Sequence, residues 1–580
     1  MATASPSDQT LVPLLRSPST STLGPASSTN SLRDASPDPM RRRKTRFLQS
    51  LSFVSAVLSA LCAGSITVFS LYAPRFQSRL HFSQFQINGI ASAMSLSMYI
   101  PVPLIGYLCD RVGPGPLSLL AVVLLAGGYG SAAALYHKGE VASRTAGPDS
   151  SQGLVPYMIV AFVLIGVGTA SMYLGSITTC AKNFGKSKYR GLILTAPMAS
   201  FGLSGILVSQ FGSHFLYEVL PDGSRGEVNV FYFFIFLAIL LSVAGLFGSV
   251  ALRIIDEDDL IDGAVEELER SGLLDGSELF RRTTSGRTYG AIDGAIDNAE
   301  DAGILGPLKD DEDDEDNALL KKTWLLNAET RRFLTDHTMW WFALGFWLII
   351  GPGEAFINNL GTIIGTLYSP GATDDNTTAA THVSIVAATS TVARLLTGSL
   401  SDLVSPTPQN QYPQTGMNSQ ILPPRRRCTV SRAILMLIAG LLLSIGTLIL
   451  ASGFIQGHGD RFWLVSGFIG AGYGAVFSLT PILVTIIWGV ENFGTNFGIV
   501  AVFPAIGSTM WGLIYSADYQ NGARNSPSVT DGADDDVFCY GQQCYSSTFW
   551  AMTASIWVGC FMILWAWKGR DGWTKRGVVI

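Results

Sequence analysis

One acid, two amides and one guanidine stand inside apolar sequence, and their chemistry sets the question. Glu354 lies in 338–368, TMWWFALGFWLIIGPGEAFINNLGTIIGTLY, directly after Gly351-Pro352-Gly353, with Asn358 and Asn359 following. The stretch exceeds the roughly 20 apolar residues that cross a bilayer. A charge at that depth costs roughly 2.5–3.5 kcal/mol on insertion scales, so such a side chain faces a bundle interior or a water-filled cavity. Glu354 and Asn358 are four apart and share a helical face. Gly-Pro-Gly predicts local unwinding of the helix, tolerated only where freed backbone lines protein or water. Together these residues read as one wall of a solute pathway. The plainer alternative is that Glu354 only bonds a neighbouring helix.

Arg394, in a second apolar stretch, shares a helix face with Gly398 and Asp402 at four-residue steps. Its long side chain either snorkels to the interface or faces the cavity. In the cavity it would bind an anionic group, or pair with Glu354 when the site is empty. Protonation of Glu354 would then supply coupling, and Asn358 and Asn359 would offer neutral donors and acceptors to a polar solute.

Many spans must position these groups. The chain has 580 residues, 48% hydrophobic and only 14% charged, with a mean hydropathy of +0.33; a soluble domain averages about 25% charged. Twelve apolar spans are expected at 47–73, 87–108, 116–137, 155–180, 190–214, 229–253, 338–368, 381–403, 430–453, 461–487, 493–516 and 547–567. With the N-terminus inside, eighteen Lys and Arg flank the spans on the cytosolic side and seven on the other. That bias predicts both termini in the cytosol.

Residues 1–46 are rich in Ser, Thr and Pro, and are expected to be a disordered cytosolic tail ending in a basic anchor, Arg41–Arg46. The tail holds no cleavable signal, so the first span is expected to direct its own insertion. A first bundle would occupy 47–253 and a second 337–567, with a short cytosolic tail at 568–580. Between the bundles, 254–336 is an acidic linker containing DEDDLIDGAVEELER and KDDEDDEDN. Asp256…Leu260-Ile261, Glu269…Leu273-Leu274 and Glu315…Leu319-Leu320 resemble acidic dileucine addresses for sorting adaptors. In 517–546, Cys539 and Cys544 would close a disulfide if the compartment is oxidising, or remain free thiols. The sequon at Asn376 sits close to both flanking spans, which disfavours glycosylation. There is no Cys/His metal spacing, phosphate-binding loop, GxSxG or HExxH, so neither an enzyme, a cofactor, a metal site nor a nucleic-acid partner is expected. The expected partners are membrane lipid and a small-molecule solute.

The two halves echo each other. The second span ends in Gly106…Asp110-Arg111…Gly113 and the eighth in Gly398…Asp402; CAKNFG at 180–185 returns as GVENFG at 489–494. Glycine permits close helix approach, and the acid can cap or salt-bridge a neighbouring terminus. On these residues and the six-plus-six layout, the chain resembles the major facilitator superfamily. That resemblance implies an all-α fold of two pseudo-symmetric six-helix bundles with alternating access. It also implies that Asp110 and Arg111 latch the cytosolic side, with a weaker counterpart at Asp402, where Leu403 replaces the Arg. CAGSITVFSLYAPRFQ at 62–77 is similar to nodulin-like transporters, and GPGEAFINNLGTIIGTLY at 351–368 to the fungal monocarboxylate-transporter-homologue branch. The latter implies a vacuolar-membrane transporter. Monocarboxylate carriers also bear a lysine in their first helix and an acid one turn before the arginine of the eighth; residues 47–73 contain no lysine, and Ser390 stands at the second position. A membrane sensor, or a scaffold acting through the acidic linker, is the alternative class.

Overall fold

The computed structural model describes residues 39–82, 84–146, 148–185, 187–219, 225–255, 326–367, 379–404, 430–525 and 539–578. In lipid every backbone polar group must be satisfied internally, so apolar runs fold as helices. The first half holds α1 (Pro39–Ala63), a 3-10 turn (Gly64–Val68), α2 (Phe69–Leu80), α3 (Gln84–Tyr99), α4 (Val102–Val112), α5 (Pro114–Ala146), α6 (Val155–Phe184), α7 (Arg190–Phe215) and α8 (Val230–Ala251). A small hairpin of β1 (Tyr217–Val219) and β2 (Arg225–Val228) precedes α8. A helix over 326–335, α9, opens the second half. After it come α10 (His337–Gly365), α11 (Ala379–Val404), α12 (Arg432–Ala451), α13 (Phe462–Ile487), α14 (Phe493–Ala501), α15 (Phe503–Asn525) and α16 (Ser546–Lys568). Side chains cap several starts: Asn229 accepts from Tyr232 N, Asp336 from Thr338 N and Ser431 from Ala433 N.

Among the described residues these helices make twelve spans long and apolar enough to cross a membrane, the number expected. The face where α1 begins and α16 ends is called the tail face here, and the other the far face. Spans two and eleven are each broken near their middle, at Ile100–Pro101 and at Val502. Pro101 and Pro504 explain the positions, because proline removes a helical donor and crowds the preceding turn.

Three expectations are corrected. Gly351-Pro352-Gly353 does not unwind its span: α10 runs unbroken with Pro352 inside. Pro352 deprives the Leu348 carbonyl of its helical donor, and the Ser555 hydroxyl of α16 donates to it at 3.0 Å. The glycines serve packing instead. A Cβ on Gly351 would stand 2.9 Å from Gly507 Cα, and one on Gly353 3.0 Å from the Tyr473 ring. Second, α1 starts at Pro39 within the stretch expected to be disordered; proline suits a first helical turn, and the Arg and Lys after it favour helix. Third, the segment expected as linker over 254–336 ends in a helix. Its end forms α9, which buries Leu326 and Phe333; its three dileucine-like segments, like Asn376, lie outside the described residues.

An aromatic core of Tyr72, Phe76, Phe162, Phe233 and Phe234 fills the first bundle. The core of the second bundle runs on into α4, α6 and α7, through Ile105, Leu174 and Met198. At the tail face, α4 packs along α14 and α7 along α11, whereas the far halves α3 and α15 scarcely touch. The bundles are therefore joined at the tail face.

Candidate functional site

At the tail face, two glycine–aspartate pairs bring helices from opposite bundles together. Gly106 lies against the Gly494 carbonyl, leaving no room for a Cβ, and Gly398 lies likewise against Thr195 and Gly191. One turn on, each acid caps the helix it meets. Asp110 accepts from Gly494 N at 3.2 Å, from Thr495 N at 2.6 Å and from Thr495 Oγ1 at 2.8 Å. Asp402 accepts from Gly191 N at 2.8 Å and Leu192 N at 2.9 Å. A carboxylate on exposed N–H groups at a helix N-terminus is favourable on both hydrogen-bond and dipole grounds. Gly113 ends α4 at φ +91°, a conformation open to glycine.

Arg111 does not pair with Asp110. Its guanidinium turns outward, over the Tyr107 ring and onto Asn327 Oδ1 of α9 at 2.7 Å. The cation that meets Asp110 is Lys182, at the end of α6, with Nζ 3.1 Å from Oδ1 and both groups buried. No sequence spacing links residues 110 and 182; only the lysine's place at the end of an apolar span hinted at it.

Toward mid-membrane, one carboxylate oxygen joins the bundles. Glu354 Oε1, on α10, accepts from the Tyr473 hydroxyl of α13 at 2.9 Å and from the Tyr99 hydroxyl of α3 at 3.0 Å. Tyr473 belongs to the bundle of Glu354, and Tyr99 to the other. At this depth Arg394 makes another polar link between bundles, donating from Nη1 to the Met198 carbonyl of α7 at 2.7 Å. Gly202, one turn from Met198, makes room for it; a Cβ there would stand 3.2 Å from Nη1. Arg394 is 7% exposed, which excludes snorkelling. Its Nε has no hydrogen-bond partner among the described residues, and its guanidinium lies 5.6 Å from the Phe477 ring centroid and 6.0 Å from that of Tyr473. The expected Arg394–Glu354 ion pair does not form; Tyr473 stands between them, its hydroxyl on the acid and its ring beside the guanidinium.

A cavity of about 90 Å³ lies between the bundles, lined by Tyr99, Tyr173 and Phe201 from one and Arg394, Tyr473 and Phe497 from the other. Its walls are aromatic and aliphatic, with Met98, Val102 and Leu174 among the latter, and its polar side chains are Arg394, Thr169 and the tyrosines. The two amides do not line it. Asn358 is exposed and donates to Ser508 Oγ of α15 at 2.9 Å, while Asn359 folds back onto the Ala355 carbonyl at 2.8 Å. Sharing a face with Glu354 on a continuous helix was not enough, because the helix turns that face along α15.

On the tail face, α9 touches both bundles: Arg111 reaches Asn327, and Asn492, just before α14, donates to Thr330 Oγ1 at 2.8 Å. Asp336 then gathers Trp488 Nε1 at 2.9 Å and a two-pronged Arg576 contact at 2.8 and 2.9 Å. Burial pushes the Asp336 carboxyl up, but the hydrogen bonds from Arg576, Thr338 and Trp488 outweigh it and hold it down at about 2. At the far face, Cys539 and Cys544 are joined in a disulfide, and Gly541 N of that loop donates to the Thr366 carbonyl beyond α10 at 2.9 Å.

The Major Facilitator Superfamily profile matches residues 53–512. The chain is 55% identical over 588 aligned residues to "Probable transporter mch1" of Neurospora crassa, covering 98% of this chain and 97% of the relative. It is 51% identical to "Probable transporter MCH1" of Gibberella zeae, covering 93% of each. Among solved structures it is similar in fold to the proton:xylose symporter XylE, with TM-score 0.58 at 14% identity over 90% of this chain and 96% of that one. A bacterial homologue of the iron transporter ferroportin gives TM-score 0.53 at 10% identity, over 89% and 98%. The chain thus belongs to the Major Facilitator Superfamily, in the branch of the fungal MCH1 transporters, the monocarboxylate transporter homologues.

Proposed function

We propose that the chain carries a small anionic organic solute by proton-coupled alternating access, with Arg394 holding the anion and Glu354 carrying the proton. The observation that supports this most is the cavity itself: an aromatic chamber between bundles whose one guanidinium has an unsatisfied donor. A buried guanidinium with spare donors suits a carboxylate-type group, and aromatic walls suit an apolar body on the same molecule. Asp110 and Asp402 act as the tail-face gate, with Lys182 in place of Arg111 as the buried cation. The eighteen-to-seven bias of basic residues favours a cytosolic tail face. The vacuolar membrane is the site the family resemblance favours, with the linker's dileucine-like segments as adaptor contacts.

The test is uptake into proteoliposomes holding the purified protein, over a panel of mono- and dicarboxylates, amino acids and metal chelates, with and without an acid gradient. Gradient-dependent uptake of an anion, lost in Arg394→Gln, is expected. Absence of flux for every solute, from folded and correctly oriented protein, would favour a sensor instead.

A further inference from the structure

We propose that Tyr99 is the positioning residue that makes movement of the bundles depend on the protonation state of Glu354; this rests on the proton-carrying reading of Glu354 above. Glu354 Oε1 accepts two phenol hydroxyls at once, at 2.9 and 3.0 Å. An ionised carboxylate is acceptor-only and binds such donors strongly, while a protonated one spends an oxygen on its own O–H and accepts less well. Taking up a proton therefore weakens this pair of bonds.

The two phenols do not stand equally to lose. Tyr473 is carried by the same bundle as Glu354, and its ring is held against Gly353 and beside Phe477. Tyr99 belongs to the opposite bundle and is the last residue of α3, immediately before the break at Ile100–Pro101. The bond surrendered on protonation is thus the one between bundles, at the point where span two bends. Arg394 supplies the matching tie for the solute, through its bond to the Met198 carbonyl of the other bundle; an anion sharing the guanidinium would compete with that carbonyl and weaken the tie. Each ligand releases one tie, and the proton passes from water on one face to Glu354 and on to water at the other. Neither ligand alone frees both ties, so the proton by itself is expected to shift the bundles only part of the way.

The experiment needs only the proton as ligand. Spin labels are placed on cysteines introduced at Tyr157 and Phe454, exposed positions at the far ends of the two bundles, in a Cys428→Ser background; Cys62, Cys109, Cys180 and Cys560 are buried. Distances are measured by pulsed electron resonance in nanodiscs under acid and alkaline conditions. The wild type is expected to shift its distance distribution with pH. Tyr99→Phe, which keeps the ring and drops the donor, is expected to populate the acid-type distribution about tenfold more in alkali, the weight of one charge-assisted hydrogen bond. Tyr473→Phe is expected to keep a pH-dependent shift. Glu354→Gln, which keeps an acceptor but cannot titrate, is expected to hold one distribution throughout, and it serves should the Tyr99 variant fold poorly. If Glu354→Gln still shifts like the wild type, the proton reading of Glu354 falls and the Tyr99 inference with it. If Glu354→Gln stops shifting while Tyr99→Phe behaves as wild type, the Tyr99 inference alone is overturned.

Discussion

Asp110 and Asp402 occupy corresponding places in the two bundles, and each caps the first N–H groups of a helix in the opposite one. They differ in what surrounds the acid. Asp110 is buried and pairs with buried Lys182. Asp402 is half-buried and makes no direct ion pair among the described residues, though the buried guanidiniums of Arg190 and Arg432 attract it from beyond contact distance. The shared backbone geometry fixes where the bundles meet. The unequal charge decides how much is lost when either contact is broken. Breaking a buried ion pair is expensive, whereas a lost cap is an ordinary helix-end cost.

The largest expected effect is therefore Asp110→Ala, which breaks the buried ion pair with Lys182 as well as the cap and disfavours the tail-closed conformer by about 3–5 kcal/mol. Asp402→Ala removes a cap, about 1 kcal/mol, together with the longer-range attraction of Arg190 and Arg432, and breaks no direct buried ion pair, so its loss is expected to be the smaller. Thermal unfolding in detergent, with label distances across the tail face, compares them directly, and equal losses would break the asymmetry. Next comes Gly106→Ala set against Gly398→Ala. The new methyl at 106 meets the backbone carbonyl of Gly494, which cannot rotate away, while at 398 it first meets the Thr195 hydroxyl, which can. Tail-face closure should suffer more at 106, read from the same distances.

A third capping acid, Asp336, sharpens the point because it caps its own helix and holds the C-terminal Arg576. Its folded carboxyl lies at about 2, below the usual 3.8. The stabilisation is fully present above about pH 4 and is lost as pH falls toward 2. Given a partly exposed guanidinium, about 1 kcal/mol is at stake. A pH series of melting temperatures should show a wild-type decline in this window that Asp336→Asn lacks. The smallest effect is expected for Arg111→Gln: its contact with Asn327 is exposed, so stability should change by within about 0.5 kcal/mol.

The spans, the Gly106/Asp110 and Gly398/Asp402 pairs and the weight on Glu354 and Arg394 were legible because hydropathy, four-residue spacing and a charge in apolar sequence are local signals. What escaped depends on partners distant in the chain. Ser555 keeps α10 intact through Pro352, and 203 residues separate them. Lys182 displaces Arg111 because the end of α6 comes beside Asp110. Tyr99 and Tyr473 are unremarkable in sequence, since tyrosine in an apolar span reads as packing or interface. The end of the linker looked like the rest of an acidic segment, yet α9 finds an apolar seat, with Phe333 edge-on to Trp488.

The most direct measurement is solute transport by Glu354→Gln in proteoliposomes, using the anion that the uptake panel identifies. The account predicts loss of acid-gradient-driven accumulation with solute-for-solute exchange retained, because Arg394 and the cavity remain. Full gradient-dependent accumulation by this variant would contradict a proton carried on Glu354.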